Sequence, residues 1–426
     1  MDCFKIDRAL TEHYTRLRRR LHENAECAYQ LERTVEIVTG ELRALGIAYR
    51  IIGKGSIAAR VGQGEYGVLL RADMDALHMK EETDLSFAPT DGRMHACGHD
   101  MHTAMLLFAL NILKKKENDL AHEVRILFQA AEETLSGAAD SIEAGILRPW
   151  DEVGMISCEN DEKCKKLLSK AEKKPFIRAA YSLHSVVDVP IKCGTLIVPK
   201  GGVGAAASDF FRIDIEGRSS HGAVPHLGSD SLMALNSIYT ALTTLAVRVA
   251  PRCDDALITV GRLSGGENAN VICAHAEAEG TVRSYNDDTQ RMLREQMATS
   301  TQQIGRAYGT EADLSFLGGA PTLKNDGDLA SAAAHALRKI FPCGVLYADE
   351  LSGSEVQRKS GGSEDFASFS HRIPSLLVGI CAGDSREGYC YPLHHPKVRF
   401  DERALPIGAL AYCALAHLSL PFGTVG

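Results

Sequence analysis

The sequence lacks the features that mark nucleic-acid-binding, exported and membrane-spanning chains. Its formal net charge is -8 and its Lys and Arg residues form no basic stripe, so we expect no nucleic acid as a partner. The first 20 residues are charged and contain no apolar core, so no signal peptide is expected. The longest apolar run, near residues 408–420, contains His417 and is too short to cross a bilayer. These absences predict a cytoplasmic protein without a membrane partner.

The cysteines lack the regular spacing of a disulfide framework. The chain has 12 of them in 426 residues, and without an export signal they are expected to be reduced thiols. With 45% hydrophobic and 24% charged residues, the composition is typical of a globular protein. The length is too great for one ordinary hydrophobic core and therefore predicts two domains.

Residues 94–103 hold the densest group of potential metal ligands in the sequence. Imidazole and thiolate are side chains that bind borderline-soft divalent metals, and here a polar turn leads into the apolar, helix-compatible segment 104–116. A lone cysteine is more often a small buried apolar residue, so the metal hypothesis depends on ligands elsewhere in the chain. The cluster consists of His95, Cys97, His99, Asp100 and His102.

Carboxylates and histidines also follow several predicted strands. In an α/β sheet, ligands gather outside the carboxyl ends of the strands, which favours these positions as ligands or as groups that orient a ligand. Because side chains alternate along an extended chain, Glu132 and Glu133 are expected to point opposite ways, one towards a metal and the other towards a substrate as a general base. The candidates are Asp73 and Asp75 after strand 67–70, Glu132 and Glu133 after strand 123–129, His184 at the end of strand 179–184, and His394 and His395 in a later loop.

The order of predicted elements indicates an α/β domain that a second domain interrupts. Residues 5–45 are predicted as helical, and a hinge-like, glycine-rich break at residues 201–204 precedes the second domain. Residues 208–316 show the order β-α-β-β-α-β of the ferredoxin-like unit. We therefore predict a first domain of residues 1–203 and 317–426, and an inserted domain of residues 204–316. Residues 151–178 are predicted to contain a charged, solvated insertion, to which we assign no chemistry.

Four motifs together resemble metallopeptidase family 20, subfamily D. They are Arg-Ala-Asp-Met-Asp-Ala-Leu at 71–77, Met-His-Ala-Cys-Gly-His-Asp at 94–100, Gln-Ala-Ala-Glu-Glu at 129–133 and Leu-His-His-Pro at 393–396. The resemblance extends from residues 18–22 to residues 400–402, and the segments 220–226 and 280–283 also match. That subfamily contains hippurate hydrolases, N-acyl-amino-acid amidohydrolases, auxin-conjugate hydrolases and N-acetyl-diaminopimelate deacetylases.

The resemblance implies an α/β catalytic domain with a dinuclear metal centre, interrupted by a smaller lid. Lids of this kind often mediate dimerisation, so a homodimer or higher homo-oligomer is expected. Two divalent ions are expected per subunit, manganese or zinc in the first place and cobalt or nickel as alternatives. By position, the implied ligands are Cys97, which is shared between the ions, His99, Glu133, His184 and His394.

The resemblance also implies roles for residues that are not ligands. Glu132 corresponds to the general base that takes a proton from the activated water, and Asp75 to a residue that orients a ligand. His221 resembles the histidine that stabilises the oxyanion, while Asn270 and Arg283 resemble lid groups that bind a substrate carboxylate. The implied reaction is hydrolysis of the amide bond of an N-acyl amino acid or of a small peptide.

Several positions depart from the subfamily pattern, and they predict a divergent member. His78 and Ala130 stand where the pattern has proline, Cys273 follows the Asn-Val-Ile segment in place of proline, and residues 22–27 lack the usual Pro-Glu-Leu. None of these departures removes a proposed ligand or the proposed base. They do limit what the resemblance says about the substrate.

Three other hypotheses remain open at the level of sequence. The chain could be a dipeptidase or carboxypeptidase of the same fold. It could be a cysteine hydrolase with Cys97 as nucleophile and His99 or His102 as base, whose activity chelation would spare. Finally, it could be a non-catalytic metal-binding scaffold, although such a scaffold would have no need of Glu132.

Overall fold

The computed structural model describes residues 7–154, 175–251, 254–348 and 362–418. The chain forms two compact units. The large unit comprises Met1–Gly202, Lys324–Arg358 and Ser368–Gly426, and the small unit comprises Val203–Leu323 and Lys359–Ala367. Compared with the predicted inserted domain of residues 204–316, the small unit ends later, because its last strand continues to Ala320.

The described helices and strands alternate along most of the chain. The helices are α1 (Arg8–Glu23), α2 (Glu32–Ala44), α3 (His99–Lys115), α4 (Gly137–Glu143), α5 (Ser231–Val249), α6 (Asp287–Ala307), α7 (Gly327–Ile340), α8 (Ala367–Ser370) and α9 (Ala404–Ala416). The strands are β1 (Tyr49–Ile52), β2 (Ser56–Val61), β3 (Gly67–Asp73), β4 (Glu123–Gln129), β5 (Ile177–Val186), β6 (Leu196–Val198), β7 (Gly202–Ala205), β8 (Ala207–Glu216), β9 (Ala256–Gly265), β10 (His275–Ser284), β11 (Glu311–Ala320), β12 (Leu323–Asn325), β13 (Val345–Tyr347) and β14 (Ser375–Cys381).

An eight-stranded sheet organises the large unit, with the strand order β1-β2-β4-β3-β5-β14-β6-β13. Strands β4, β3, β5 and β14 are parallel neighbours, so their carboxyl ends lie at the same edge. Strands β3 and β4 are buried along their whole length, as expected of parallel strands covered on both faces. Helix α3 packs beside α9 in the same hydrophobic core. The predicted α/β fold class is therefore correct.

The N-terminal segment predicted as helical over residues 5–45 consists of two helices, α1 and α2. Between them Cys27 forms a β-bridge with Ala76, and Ala28 has a left-handed backbone with φ 53°. A left-handed residue cannot continue a right-handed helix, so the chain turns at this point. The apolar spacing continued across the break, which is why the sequence pattern did not reveal it.

The small unit contains a four-stranded antiparallel sheet with the order β11-β8-β10-β9. Its elements follow one another as β8-α5-β9-β10-α6-β11. Helices α5 and α6 pack on the sheet around a separate apolar core that includes Ile238, Leu242, Leu293 and Met297. Asp230 and Asn286 cap the two helices by accepting backbone N–H groups of the first turn.

Two further expectations concern segments near this unit. Residues 202–204 of the predicted hinge-like break belong to strand β7, which pairs with β12. Within the described parts of the chain, α5 is the one helix with the length and apolar composition of a membrane span. Its buried positions, which include Ala234 and Ile238, face the core of the small unit as in a core helix. Of the predicted charged insertion, residues 155–174 lie outside the described residues.

Candidate metal centre

The candidate residues of the large unit lie at the carboxyl-terminal edge of the central parallel strands. Strand β3 ends at Asp73, opposite Gln129 at the end of β4. His184 lies near the end of β5, opposite Gly379 of β14. Asp75 follows β3 within two residues, and the two adjacent glutamates follow β4 closely. The structure thus brings together the strand ends that the sequence singled out.

The cysteine-histidine turn leads directly into helix α3. Gly98 caps the helix with a left-handed backbone, φ 84°, and a β-carbon there would approach the Phe400 ring at 2.8 Å. The turn therefore requires glycine on both conformational and steric grounds. Helix α3 begins at His99, earlier than the predicted residue 104, so His99 lies in its first turn.

The orientation of the His99 ring suits a metal ligand. Its Nδ1 lies 2.8 Å from the backbone carbonyl oxygen of Asp75, which can only accept, so Nδ1 carries the proton. Nε2 then faces the cluster, and this buried atom makes no hydrogen bond within the described residues. A buried polar nitrogen without a hydrogen-bond partner is costly, and a cation bound at Nε2 would remove that cost. Ligating histidines are typically oriented by such a second hydrogen bond.

The five implied ligands and Glu132 come together in overlapping groups whose ligand atoms lie within 4.8 Å of one another. Cys97 belongs to two of these groups. Its Sγ lies 3.5 Å from Nε2 of His184, and Oε1 of Glu133 lies 3.6 Å from Nε2 of His394. The groups are Cys97-His99-His184, Cys97-Glu133-His394 and His99-Glu132-Glu133.

This set of ligand atoms fits divalent ions. It combines thiol sulfur, imidazole nitrogen and carboxylate oxygen, which zinc and related borderline-soft metals accept. The two groups that share Cys97 otherwise use different residues, so one sulfur atom between two ions satisfies both groups. The arrangement accommodates a dinuclear centre.

The two adjacent glutamates do not point in opposite directions, as alternation along a strand predicted. Ala131 has a left-handed backbone, φ 56°, so the chain leaves the extended conformation before it reaches them. Carboxylate oxygens of Glu132 and Glu133 lie 4.0 and 3.9 Å from Nε2 of His99. Both glutamates therefore face the same cluster.

Asp75 holds the turn that carries these glutamates. One of its carboxylate oxygens accepts the backbone N–H of Glu132 at 3.0 Å, and the other accepts that of Glu133 at 3.2 Å. Its backbone carbonyl accepts the proton of His99. Asp75 thus orients both a ligand and the segment that contains the candidate base.

Electrostatic effects at the cluster favour metal binding over nucleophilic catalysis by Cys97. Burial, followed by the negative charge of Glu133, raises the pKa of the Cys97 thiol. A cysteine nucleophile needs the opposite shift. Burial, with a smaller effect of His99, lowers the pKa of His394, which keeps that imidazole neutral as ligation requires.

The remaining predicted site residues lie in the small unit. His221 forms a β-bridge with Val271, next to Asn270, whose carbonyl accepts the N–H of Gly222. Nδ1 of His221 accepts the backbone N–H of Ala223 at 3.0 Å, so Nε2 carries the proton. Arg283 lies on β10 and lines a cavity of about 440 Å³ together with Tyr285.

The contacts behind the ligands are not visible in the motifs. Asp73 and His102, both ligand candidates from sequence, form a further group of possible ligands with His99 and contact each other, with Oδ1 and Nδ1 2.6 Å apart. The other carboxylate oxygen of Asp73 accepts from Arg71 at 2.7 Å, and Nε2 of His102 accepts the backbone N–H of Ser185 at 2.8 Å. These side chains fix the strand end beside His184. In the sequence, these contacts are indicated only by the charged pair Arg71 and Asp73 within a buried strand.

A cluster of sulfur, nitrogen and oxygen ligand atoms beside a further glutamate is the site of a metal-dependent hydrolase. Comparison with known proteins identifies the family. Residues 69–418 match the model described as peptidase family M20/M25/M40, and the chain belongs to this family. It is therefore an enzyme, a metal-dependent hydrolase of amide bonds, as the resemblance of its motifs predicted.

Relatives cover nearly the whole chain. An N-acetyl-L-cysteine deacetylase of Bacillus subtilis is 32% identical, over 91% of this chain and 84% of its own length. Thermostable carboxypeptidase 1 of Saccharolobus solfataricus is 29% identical, over 96% of both chains. A solved structure of a dinuclear metal binding peptidase of the M20 family from Bacillus subtilis has a TM-score of 0.70 and 28% identity, and covers 96% of this chain and 98% of that one.

Proposed function

We propose that the enzyme hydrolyses the amide bond of an N-acyl amino acid, releasing a carboxylic acid and the free amino acid. The observation that carries this proposal is the shared position of Cys97 in two groups of ligand atoms, with Glu132 beside both. The similarity to a deacetylase of N-acetyl-L-cysteine supports the proposal that the substrate carries an N-acyl group.

In this proposal the residues divide the work between binding and proton transfer. Two divalent ions, zinc or manganese first, would polarise the scissile carbonyl and lower the pKa of the attacking water. Cys97, His99, Glu133, His184 and His394 would hold them. Glu132, whose side chain is nearly buried, accepts the proton of the water on its carboxylate and delivers it to the leaving amine nitrogen.

The small unit supplies the groups that recognise the substrate. In our proposal it is a ferredoxin-like lid, and the Nε2–H of His221 donates to the developing oxyanion. Arg283 and Asn270 bind the free carboxylate of the amino acid, which suits the planar donor fork of arginine. The proton on Nε2, set by the bond from Ala223 to Nδ1, supports the role of His221.

We further propose that the enzyme forms a homodimer through the small unit. Strand β9 is the edge of its sheet, and an edge strand presents unpaired backbone groups to a partner. Large apolar side chains are exposed on β9 and on the neighbouring helix α5, among them Leu257, Leu263 and Met233.

We also propose that the enzyme is cytoplasmic. Cysteines in the described residues are free thiols, which supports this location.

A substrate panel tests the proposed activity. N-acetyl, N-benzoyl and indole-acyl amino acids and dipeptides would be offered to the enzyme with added Zn²⁺ or Mn²⁺, and again with chelator. We expect hydrolysis of acyl amino acids that is lost with chelator. Hydrolysis of dipeptides alone would favour the carboxypeptidase or dipeptidase alternative. Turnover that survives chelation would overturn the proposal and favour Cys97 as nucleophile, while metal binding without any turnover would favour the non-catalytic scaffold.

A further inference from the structure

A second cluster of charged side chains lies buried in the large unit, behind the candidate metal centre. It joins Arg18 and His22 of α1, Glu81 and Asp100, and each of these is at most 9% exposed. Nε of Arg18 lies 2.7 Å from Oδ2 of Asp100. Nδ1 of His22 lies 2.7 Å from the same oxygen, and Nε2 of His22 lies 2.9 Å from Oε2 of Glu81. None of these residues is a metal ligand in the proposed site.

The ring of His22 lies between the two carboxylates and the Arg18 guanidinium, since Nδ1 is also 3.2 Å from Nη2 of Arg18. Each nitrogen faces a carboxylate oxygen, and an ionised carboxylate can only accept. A neutral ring could donate to only one of the two carboxylates, whereas a protonated ring can donate to both. With His22 protonated, two cations, Arg18 and His22, balance two anions, Glu81 and Asp100. A buried cluster of this kind holds its geometry because removing any member leaves an uncompensated charge.

One side of this cluster fixes the cysteine-histidine turn. Asp100 is adjacent to His99 in the first turn of α3, and its other oxygen accepts the backbone N–H of Met101 at 2.9 Å. Its side chain therefore joins α1 to the start of the helix that carries His99. A rotation of this helix end would move the His99 ring relative to Cys97.

The other side of the cluster reaches the segment that carries His394. Glu81 belongs to a loop closed at its base by paired backbone hydrogen bonds between Leu77 and Met94. The backbone N–H of the next residue, Glu82, donates to the carbonyl of Pro396 at 2.9 Å. Within the same segment the N–H of His394 donates to the carbonyl of Ala96 at 3.0 Å. His22 is thus linked, through Asp100 and Glu81, to the segment that carries His99 and to the segment that carries His394.

We propose that Arg18 and His22 are positioning residues that hold the His99 turn and the His394 segment at the separation the two metal ions require. This inference rests on the proposed function, because it presupposes the metal centre. Removing a residue that orients a metal ligand typically lowers metal affinity or activity by about 10- to 100-fold.

The test is a calorimetric titration of the metal-free full-length enzyme with Zn²⁺ alone. The variant His22→Gln keeps a donor for one carboxylate and leaves the other without one. We expect its affinity for at least one ion to fall by about 10- to 100-fold. At limiting Zn²⁺ its kcat should fall and be restored by excess metal, while KM stays near that of the wild type.

The control is His13→Gln, on the same helix. Its side chain is 46% exposed and pairs with Glu41, which takes no part in the buried cluster, so the variant should titrate like the wild type. A merely structural role of His22 would lower the melting temperature and leave the Zn²⁺ affinity of the folded protein unchanged. That result would overturn the inference. If His22→Gln does not fold, Arg18→Lys and Arg18→Gln provide the second comparison, in which lysine should retain more affinity than glutamine because it keeps a cation beside Asp100.

The wild-type titration separates the two proposals. Two Zn²⁺ ions bound by the wild type, with equal affinity in His22→Gln, would contradict the positioning role alone. Failure of the wild type to bind two ions would overturn the proposed metal centre and this inference with it.

Discussion

The carboxylate of Asp75 accepts the backbone N–H of Glu132 at 3.0 Å, although the two residues lie 57 positions apart in the chain. Its other oxygen accepts the N–H of Glu133. The sequence assigned Asp75 to the orientation of a ligand, and the structure shows that it also positions the candidate base.

The variant Asp75→Asn should therefore reduce activity without unfolding the protein. An asparagine side chain keeps the shape but offers one accepting oxygen, so one of the two bonds to the glutamate turn is lost. We expect kcat/KM to fall by about 10- to 100-fold, the usual effect of losing a residue that orients a metal site. Steady-state kinetics with saturating metal measures this. Asp119→Asn, at an exposed position, serves as the control, and an Asp75→Asn enzyme with wild-type kinetics would contradict the assigned role.

Glu132 and Glu133 should respond differently to the same substitution. Glu132→Gln removes the proton acceptor, so kcat should fall by about 10²- to 10⁴-fold while the metal content is unchanged. Glu133→Gln removes a ligand oxygen, so the metal content should fall as well. Metal analysis of the dialysed variants beside kcat distinguishes the two roles. Equal loss of metal in both would show that Glu132 is a ligand and not the base.

Cys97 belongs to two of the groups of ligand atoms, and His394 belongs to one of these two. Cys97→Ala should therefore weaken the binding of both ions, whereas His394→Ala should weaken mainly one. The number of ions retained per chain after dialysis measures the difference. Cys343→Ala, at an exposed cysteine, is the matched control. Full activity of Cys97→Ala would contradict both the shared-ligand proposal and the nucleophile alternative.

His22 should make the stability of the metal-free protein depend on pH. Burial and the charge of Arg18 would lower the pKa of His22, but the charge of Asp100 and hydrogen bonds to Asp100 and Glu81 outweigh them and raise it. Because the folded pKa exceeds the unfolded value, the contribution of His22 is fully present below about pH 6.5 and is lost as the pH rises through the folded pKa.

Urea unfolding of wild type and His22→Gln over a range of pH measures this contribution. The difference in unfolding free energy should be largest at the acidic end and shrink as the pH rises. The neighbouring His95 adds no charge over this range, because burial lowers its pKa to about 3. A difference that grows with pH would show that His22 is neutral in the folded protein.

Two glycines of the large unit should respond in opposite ways to alanine. At Gly137, the first residue of α4, a β-carbon would lie 1.6 Å from the carbonyl oxygen of Ala130, next to the glutamate turn. Gly137→Ala should destabilise the protein by at least about 1–3 kcal/mol. A β-carbon at Gly40, inside α2, would make an ordinary contact at 3.9 Å with the side chain of Arg43, so Gly40→Ala should stabilise by about 0.5–1 kcal/mol. Thermal unfolding of both variants checks the signs.

Much of the site could be predicted from sequence because ligand chemistry depends on residue type and local spacing. The turn from Cys97 to His99 is a local feature, since Gly98 allows the left-handed cap that starts α3. The strands ending near Asp73 and Gln129 follow from buried apolar runs, and parallel strands of one sheet bring such ends together. The α/β class follows from the same alternation of strands and helices.

What the local pattern could not reveal depends on contacts between distant segments. The left-handed backbone of Ala131 turned both glutamates towards one cluster, and nothing in the local alternation of side chains indicates it. Asp73 and His102 are acceptable ligands by residue type, and only their position in the core binds them to each other.

The sequence by itself determined which side chains of this enzyme are available for metal binding and for proton transfer. The tertiary structure decided which of them face the centre and which hold the others in place. His22 and Asp100 illustrate the difference, since they lie 78 positions apart and meet only after α1 packs against the start of α3. Burial makes such a contact specific, because a charged group removed from water must find its partner in the fold.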